Sequence, residues 1–323
     1  MKPATLLTLA LSSLLISCKK SDTPDQLSIA VIPKGATHVY WKSVEVGAKK
    51  AATELGVQMT FVAPQREDDR SQQIDLVTNQ ALQSDAIVLA PLDAVALRDA
   101  AKTVADSGKP VVIIDSGLAD SQSFITSYVA TDNTEGGRIA ARQLATLLEG
   151  KGKVAVLRYM QGSASTEQRE AGFLEEIAKS PGIEVVSSEQ FSGATASQSQ
   201  DVATNLLTRL AAGDSLSVNG IFCSNQTNTY GMLQALRGKN LAGKVNFIGF
   251  DCDATFIDAL KKGEMSGTIL QDPVNMGYLG VKAAVAKLKG ETVEPVIDTG
   301  ATLVTSANMT DPKIDALIKT QLP

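Results

Sequence analysis

Short runs of aliphatic and β-branched residues recur along the chain, separated by longer stretches whose apolar positions fall three and four apart. The runs at 28–33, 57–63, 86–90, 111–115 and 125–130 have the length and composition of buried strands. Helical period follows them. Val44, Gly47, Ala48, Ala51 and Leu55 share one stripe of 43–55, and Ile74, Val77 and Ala81 share one of 70–82. The rhythm resumes with strands at 153–158, 183–188, 218–223, 245–250 and 267–270, and helices near 166–179, 198–211, 227–237, 254–261 and 273–289. A continuous apolar strand needs cover on both faces, and helices between consecutive strands supply it, so the pattern predicts parallel sheets. Two similar series predict an α/β chain of two doubly wound, Rossmann-like domains. The tail at 301–304 and 312–319 must return to one of them.

The first eighteen residues follow a different rule. After the basic start Met1-Lys2, an apolar run from Ala4 to Ile16 is broken only by Thr5, Thr8, Ser12 and Ser13, and it stops at Ser17-Cys18. The run is too short to span a bilayer and reads as an export signal. A small residue before Cys18 is the pattern of a lipoprotein processing site, at which that cysteine becomes the lipidated N-terminus. Two or more acyl chains would anchor the protein durably to a membrane surface. Residues 19–26, KKSDTPDQ, are polar, lack an apolar period and contain Pro24, so they are expected to form a linker.

Net charge is −5, with no basic block after the signal, which argues against nucleic acid as a partner. The other two cysteines, Cys223 and Cys252, end apolar runs and are expected to be neighbours on adjacent strands, as buried thiols or as a disulfide.

Ligands of open parallel sheets bind beyond the carboxyl ends of the strands. In the first half those exits carry Lys34, His38, Tyr40 and Trp41, then Asp93, Asp115 and Asn133. In the second half they carry Gln161-Gly162-Ser163 with Arg169, then Asn225, Asp251 and Gln271. The only tryptophan and the only histidine of the chain fall in one loop. Carboxylates, amides, cations and an aromatic face are what a hydroxyl-rich ligand requires. Carboxylates accept from vicinal hydroxyls, Arg and Lys donate to oxygen, and an aromatic ring covers the C–H face. Several of these residues also have simpler roles open to them. Asp115 and Asp251 are candidates for helix caps, Arg169 for an ion pair with Glu167 or Glu170, Trp41 for core packing, and Asn133 for fixing backbone.

The segments IAVIPKG, VVIIDSG, ATDNTEGG, GSASTEQREAGF, IFCSNQ, IGFD and TILQDP follow one another in an order that resembles the periplasmic sugar-binding proteins of ABC importers, in the ribose, allose and galactose group. The resemblance runs from about Leu27 to Val304. It implies a type I periplasmic binding protein fold, with two lobes joined by a three-segment hinge near Thr131, Gln271 and Thr299. On that basis 1–18 is signal and lipidated cysteine and 19–26 linker. The N-terminal lobe is 27–131 plus 272–299, and the C-terminal lobe is 132–271 plus 300–323. The implied ligand is a small sugar or polyol enclosed between the lobes by Asp115, Arg169, Asn225, Asp251 and Gln271, with Asn133 near the hinge and Tyr40 and Trp41 over the ring. The implied protein is a monomer, without cofactor or catalytic residues, that meets ABC permease subunits and touches the membrane through its lipid. Lys34 departs from the ribose pattern and resembles the autoinducer-2 and rhamnose binders. Ser116, Ala194 and Gln226 depart as well, altering the charge and size of the site.

Other chemistries lack their parts. Gly238 to Val245 nearly matches a phosphate-binding loop, but its eighth residue is not Ser or Thr and it precedes a strand. No GxGxxG follows the first strand. One histidine and scattered cysteines make no zinc site, so no metal is expected. A sugar-responsive regulator would need a helix-turn-helix in the space the export signal occupies. A carbohydrate-active enzyme would have to use Asp115 and Asp251 as its paired carboxylates.

Overall fold

In a computed structural model the described residues are 26–36 and 38–322; the export segment and Cys18 lie outside them. The chain runs β1 (Ser28–Ile32), α1 (Val39–Leu55), β2 (Gln58–Phe61), α2 (Arg70–Gln83), β3 (Ala86–Leu89), α3 (Arg98–Asp106), β4 (Val111–Ile114) and β5 (Ser127–Ala130). There follow α4 (Asn133–Leu147), β6 (Lys151–Arg158), α5 (Ala164–Ile177), β7 (Gly182–Phe191), α6 (Ala196–Arg209), a hairpin of β8 (Ala211–Ala212) and β9 (Ser215–Leu216), and β10 (Gly220–Cys223). The last part holds α7 (Gln226–Gly238), β11 (Asn246–Phe250), α8 (Ala254–Lys261), β12 (Gly267–Leu270), α9 (Pro273–Leu288), β13 (Val296–Asp298), β14 (Thr302–Val304) and α10 (Pro312–Gln321).

Two six-stranded sheets result, ordered β13-β5-β4-β3-β1-β2 and β14-β12-β11-β10-β6-β7. All pairings within them are parallel except the antiparallel β12–β14 edge. Among the described residues the chain passes between the two layers three times: after β5, after β12 and between β13 and β14.

Each central strand is buried on both faces, and its alternate residues serve different cores. Ile29 and Val31 join the cluster under α1 and α9, whereas Ala30 and Ile32 join the cluster under α2 and α3. In the second sheet Val154 and Val156 pack with α4 and α5, while Ala155 and Leu157 pack with α6, α7 and α8. Period-2 alternation with both sets apolar is what a doubly covered strand requires. Among the described residues Cys223 and Cys252 are both buried thiols without a disulfide, and burial pushes the Cys252 thiol up to about 12.

The helices nearest the crossovers approach one another closely. A Cβ on Gly47 of α1 would lie 1.7 Å from the Val274 carbonyl oxygen, and one on Gly277 of α9 would lie 2.1 Å from that of Val44. In the other lobe a Cβ on Gly137 of α4 would lie 1.9 Å from the Arg169 carbonyl oxygen, and one on Gly172 of α5 would lie 2.1 Å from that of Thr134. Corresponding helices of the two lobes thus carry reciprocal glycines at the same depth. The second contact sets the backbone of Arg169.

In an uncrowded helix Gly→Ala stabilises by roughly 0.5–1 kcal/mol. Here the added methyl must displace backbone, and overpacking costs about 1–3 kcal/mol. Gly47→Ala is therefore expected to lower the melting temperature by several degrees, read by differential scanning calorimetry. A rise would mean that α1 and α9 are not in contact at this point.

Candidate functional site

The carboxyl ends of both sheets face one cleft with a cavity of about 40 Å³, walled by side chains from both layers. β1 delivers Lys34 and the start of α1 delivers Tyr40 and Trp41. β4 delivers Asp115, β10 Asn225, β11 Asp251 and β12 Gln271, while Arg169 reaches in from the second turn of α5. Each of these is buried or nearly so; Asp115 is 3 % exposed, Arg169 2 % and Asp251 5 %.

Asp115 and Asp251 occupy equivalent places, immediately after a central strand, and both adopt left-handed backbone, with φ of 63° and 72°. That region is costly for most side chains and tolerated by Asp. Neither residue caps a helix: no helix lies between β4 and β5, and α8 is capped by Asp253. The turn instead aims each carboxylate into the cleft.

Asp115 accepts the Tyr40 hydroxyl at 2.9 Å on one oxygen and pairs with the Lys34 ammonium at 2.9 Å on the other. Burial disfavours its charge, but Lys34 and Arg169 outweigh burial and hold the carboxyl below the usual range. The same lysine donates to Ser165 at 3.0 Å and to Ser163 at 3.4 Å. Asp251 accepts from the Gln271 amide at 2.6 Å and from the Gln226 backbone N–H at 2.8 Å. Burial dominates there, and the Asp251 carboxyl is raised despite the nearby guanidinium. Arg169 pairs with neither Glu167 nor Glu170. Its Nε donates to the Asn133 side-chain oxygen at 2.8 Å, its Nη1 donates to the Ser224 carbonyl at 3.1 Å, and its guanidinium lies 4.0 Å from the Phe250 ring centre. Among the described residues Arg169 Nη2, Gln226 Oε1 and Gln271 Oε1 are buried and meet no partner, so donor and acceptor capacity remains at the cleft.

Asn133, expected to line the site, stands behind it. Its oxygen holds Arg169 and its amide donates to the Asp115 backbone carbonyl at 3.2 Å. Asn225 lines the cleft and also caps α7 in a reciprocal box with Asn228. Tyr40 and Trp41 meet edge to face, with centroids 4.8 Å apart. His38, read as a loop residue, lines the cleft as well, 3.7 Å from Glu67.

Sequence reasoning missed Glu67, Tyr159, Ser165, Thr166 and Thr227, all in the cleft wall. Glu67 sits in the charged run QREDDR, which reads as a solvated loop, yet it is 8 % exposed and accepts the Trp41 indole N–H at 2.6 Å. Tyr159 directly follows β6, at the strand end that the sequence itself places at Arg158, so the strand-end rule points to it. Among the described residues no group of three His, Cys, Asp or Glu side chains is arranged to hold a metal ion.

Residues 29–292 match the family described as periplasmic binding protein domain. The chain is 30% identical to the ribose import binding protein of Haemophilus influenzae over 92% of its own length and 97% of that protein. It is 27% identical to the D-ribose/D-allose-binding protein of Pseudomonas aeruginosa, over 94% of this chain and 96% of that one. Among solved structures it is similar to a carbohydrate transporter solute-binding protein from Agrobacterium radiobacter in complex with D-arabinose. The TM-score is 0.86 and identity 38%, covering 91% of this chain and 99% of that one.

Behind the cleft, Glu170 Oε1 accepts from the Tyr159 N–H at 3.0 Å and the Ser224 hydroxyl at 2.7 Å, and burial pushes its carboxyl from the ordinary 4.5 up to about 7. Between those values the unfolded chain has released the proton that the folded chain retains, so stability falls as pH rises through this window, by about 3 kcal/mol at most. Glu170→Gln keeps the Oε1 acceptor without the buried charge. It is expected to raise the melting temperature by several degrees at pH 8 and to leave it nearly unchanged at pH 4.5. Equal effects at the two pH values would show that Glu170 does not titrate in this window.

Proposed function

The chain belongs to the periplasmic binding protein domain family, and from that premise we propose that it is an extracytoplasmic solute-binding protein that captures a monosaccharide or polyol between two closing lobes and delivers it to an ABC permease. The observation that carries this reading is the cleft itself: buried carboxylates, amides and a guanidinium from both sheets converge there with unspent hydrogen-bonding capacity. Concave sites with a few placed polar groups and an aromatic wall suit a small neutral ligand. The ligands named for its relatives, D-ribose, D-allose and D-arabinose, are of this class and support the reading.

In this proposal Asp115, Asp251, Asn225 and Gln271 meet sugar hydroxyls, Lys34 and Arg169 donate to sugar oxygens, and Tyr40 and Trp41 cover the apolar face. Asn133 acts through Arg169. The lobes are 27–131 with 272–299 and 132–271 with 300–323, pivoting on the three crossings. Sugar contacts both, so it binds the closed form better and shifts the population toward it. The leader and Cys18 fit export and lipid anchoring on the outer side of a membrane.

Binding without turnover is the reading we favour over catalysis. The paired aspartates already hold protein partners on each oxygen, Tyr40 and Lys34 for Asp115, Gln271 and the Gln226 N–H for Asp251. A general acid or base must exchange protons with its substrate, and such saturation suits fixed acceptors instead.

A thermal-shift panel of pentoses, hexoses, deoxysugars, polyols and aldonates identifies the ligand, since what binds only the folded state raises the melting temperature. With that ligand, Asp251→Asn preserves the left-handed backbone and removes the charge. Loss of a charge-assisted hydrogen bond costs roughly 1.5–3 kcal/mol, so calorimetry should show about ten- to a hundredfold weaker binding. Unchanged affinity removes Asp251 from contact. Trp41 is the sole indole, and it is expected to report closure by a fluorescence change. A ligand-induced signal that persists at tryptophan wavelengths in Trp41→Phe would contradict its placement.

A further inference from the structure

The segment from Tyr159 to Ser165, at the junction of β6 and α5, touches the other lobe at several points. The Ala94 N–H donates to the Gly162 carbonyl at 2.9 Å and Arg70 Nη2 donates to the Gln161 carbonyl at 3.1 Å. The Ser165 N–H donates to Ser116 Oγ at 3.1 Å, and Lys34 donates to Ser165 at 3.0 Å. Gly162 has a φ of 89°, and a Cβ there would lie 2.2 Å from an Asp93 oxygen, so the approach is one that only glycine permits. Tyr159 donates its hydroxyl to Glu67 Oε2 at 2.9 Å. Both partners of that bond are buried, Tyr159 at 2 % and Glu67 at 8 % exposed. The Arg70 contact is solvent-exposed and contributes little.

Glu67 is also tied to the aromatic wall. Its other oxygen accepts the Trp41 indole N–H, and both of these residues belong to the first lobe. Separation of the lobes would take Tyr159 away from Glu67 while leaving Trp41 in place.

We propose that this loop is a closing lip, and that Glu67 and Tyr159 are its buried catch, a pair of positioning residues that set how readily the ligand-free protein closes and so scale affinity for every ligand alike. The inference rests on the capture reading above. Its physical content is a population statement. When the binding-competent form is only part of the free population, apparent affinity is the intrinsic affinity reduced by that fraction, and the catch keeps a substantial part of the free protein closed. A bond made only on closing changes the fraction, and its loss weakens all ligands by one common factor. A direct ligand contact weakens different ligands by different factors.

Tyr159→Phe keeps the ring and removes the hydroxyl. In ligand-stripped full-length protein, small-angle scattering should show a more open distribution, with the closing equilibrium constant down about tenfold. Dissociation constants for two or more sugars that bind should rise by the same factor. Glu67→Gln should act in the same direction, because an amide cannot accept on both of its terminal atoms, and Tyr159→Phe combined with Glu67→Gln should be little worse than the stronger single change. Gly162→Ala, outside the cleft wall, should open the ligand-free protein too. The proposal is overturned if the scattering of the ligand-stripped variants matches that of the parent, or if the affinity losses differ from sugar to sugar. Should no sugar bind the parent protein, the capture reading fails, while the ligand-free scattering still decides whether the catch exists.

Discussion

Burying a carboxylate is the constraint around which this molecule is arranged. An uncompensated buried charge costs several kcal/mol, and the cleft holds three carboxylates, on Glu67, Asp115 and Asp251. Compensation is unequal. Asp115 has Lys34 at 2.9 Å from its own lobe and Arg169 from the other, and its carboxyl is held low. Asp251 has the more distant guanidinium and two hydrogen bonds, and its carboxyl rises. Arg169 serves both. It is therefore fixed on several sides, by the Asn133 side chain, the Ser224 carbonyl and the Phe250 ring.

The same solution is built twice. Each lobe turns its chain through a left-handed aspartate at the end of a central strand, and each brings two helices together through reciprocal glycines. The glycines do more than pack. Gly137 presses on the carbonyl of Arg169, and Gly277 on that of Val44, a few residues beyond Tyr40 and Trp41. Close helix contact thereby fixes the backbone from which the cleft side chains project.

Much of this was legible in the sequence because buried parallel strands are unambiguous: runs such as VVII and AIVL admit no solvated face. The exits of those strands then pointed to Lys34, Asp115, Asn225, Asp251 and Gln271 without further help. What escaped notice had weak local signals. β13 has three residues with Val296 exposed, and its identity as a strand comes from pairing with β5 across a long stretch of sequence. The β8–β9 hairpin has two residues a side. Glu67 lies amid Arg66, Asp68 and Asp69, and local composition cannot reveal that this one charge is buried while Arg66 is exposed and the two aspartates are half-buried. Asn133 reads as polar and near the crossing, but composition does not show that its amide is consumed by Arg169 and the Asp115 carbonyl.

Those inward turns bear on affinity. A small sugar offers little apolar area, so little of its binding can come from burial alone. What helps is that the wall is already ordered. Lys and Arg side chains lose as much as about 2 kcal/mol of rotamer entropy when immobilised. Here Lys34 is held by Ser163, Ser165 and Asp115, Arg169 by Asn133 and Ser224, and Gln226 by Asp253. Trp41 is clamped through its indole N–H. That ordering is settled during folding and closure, not at the encounter with ligand, which is how preorganisation raises affinity without new contacts. The residues behind the wall set the order of those in it, and the sequence hides them because their role is to bond to other protein groups.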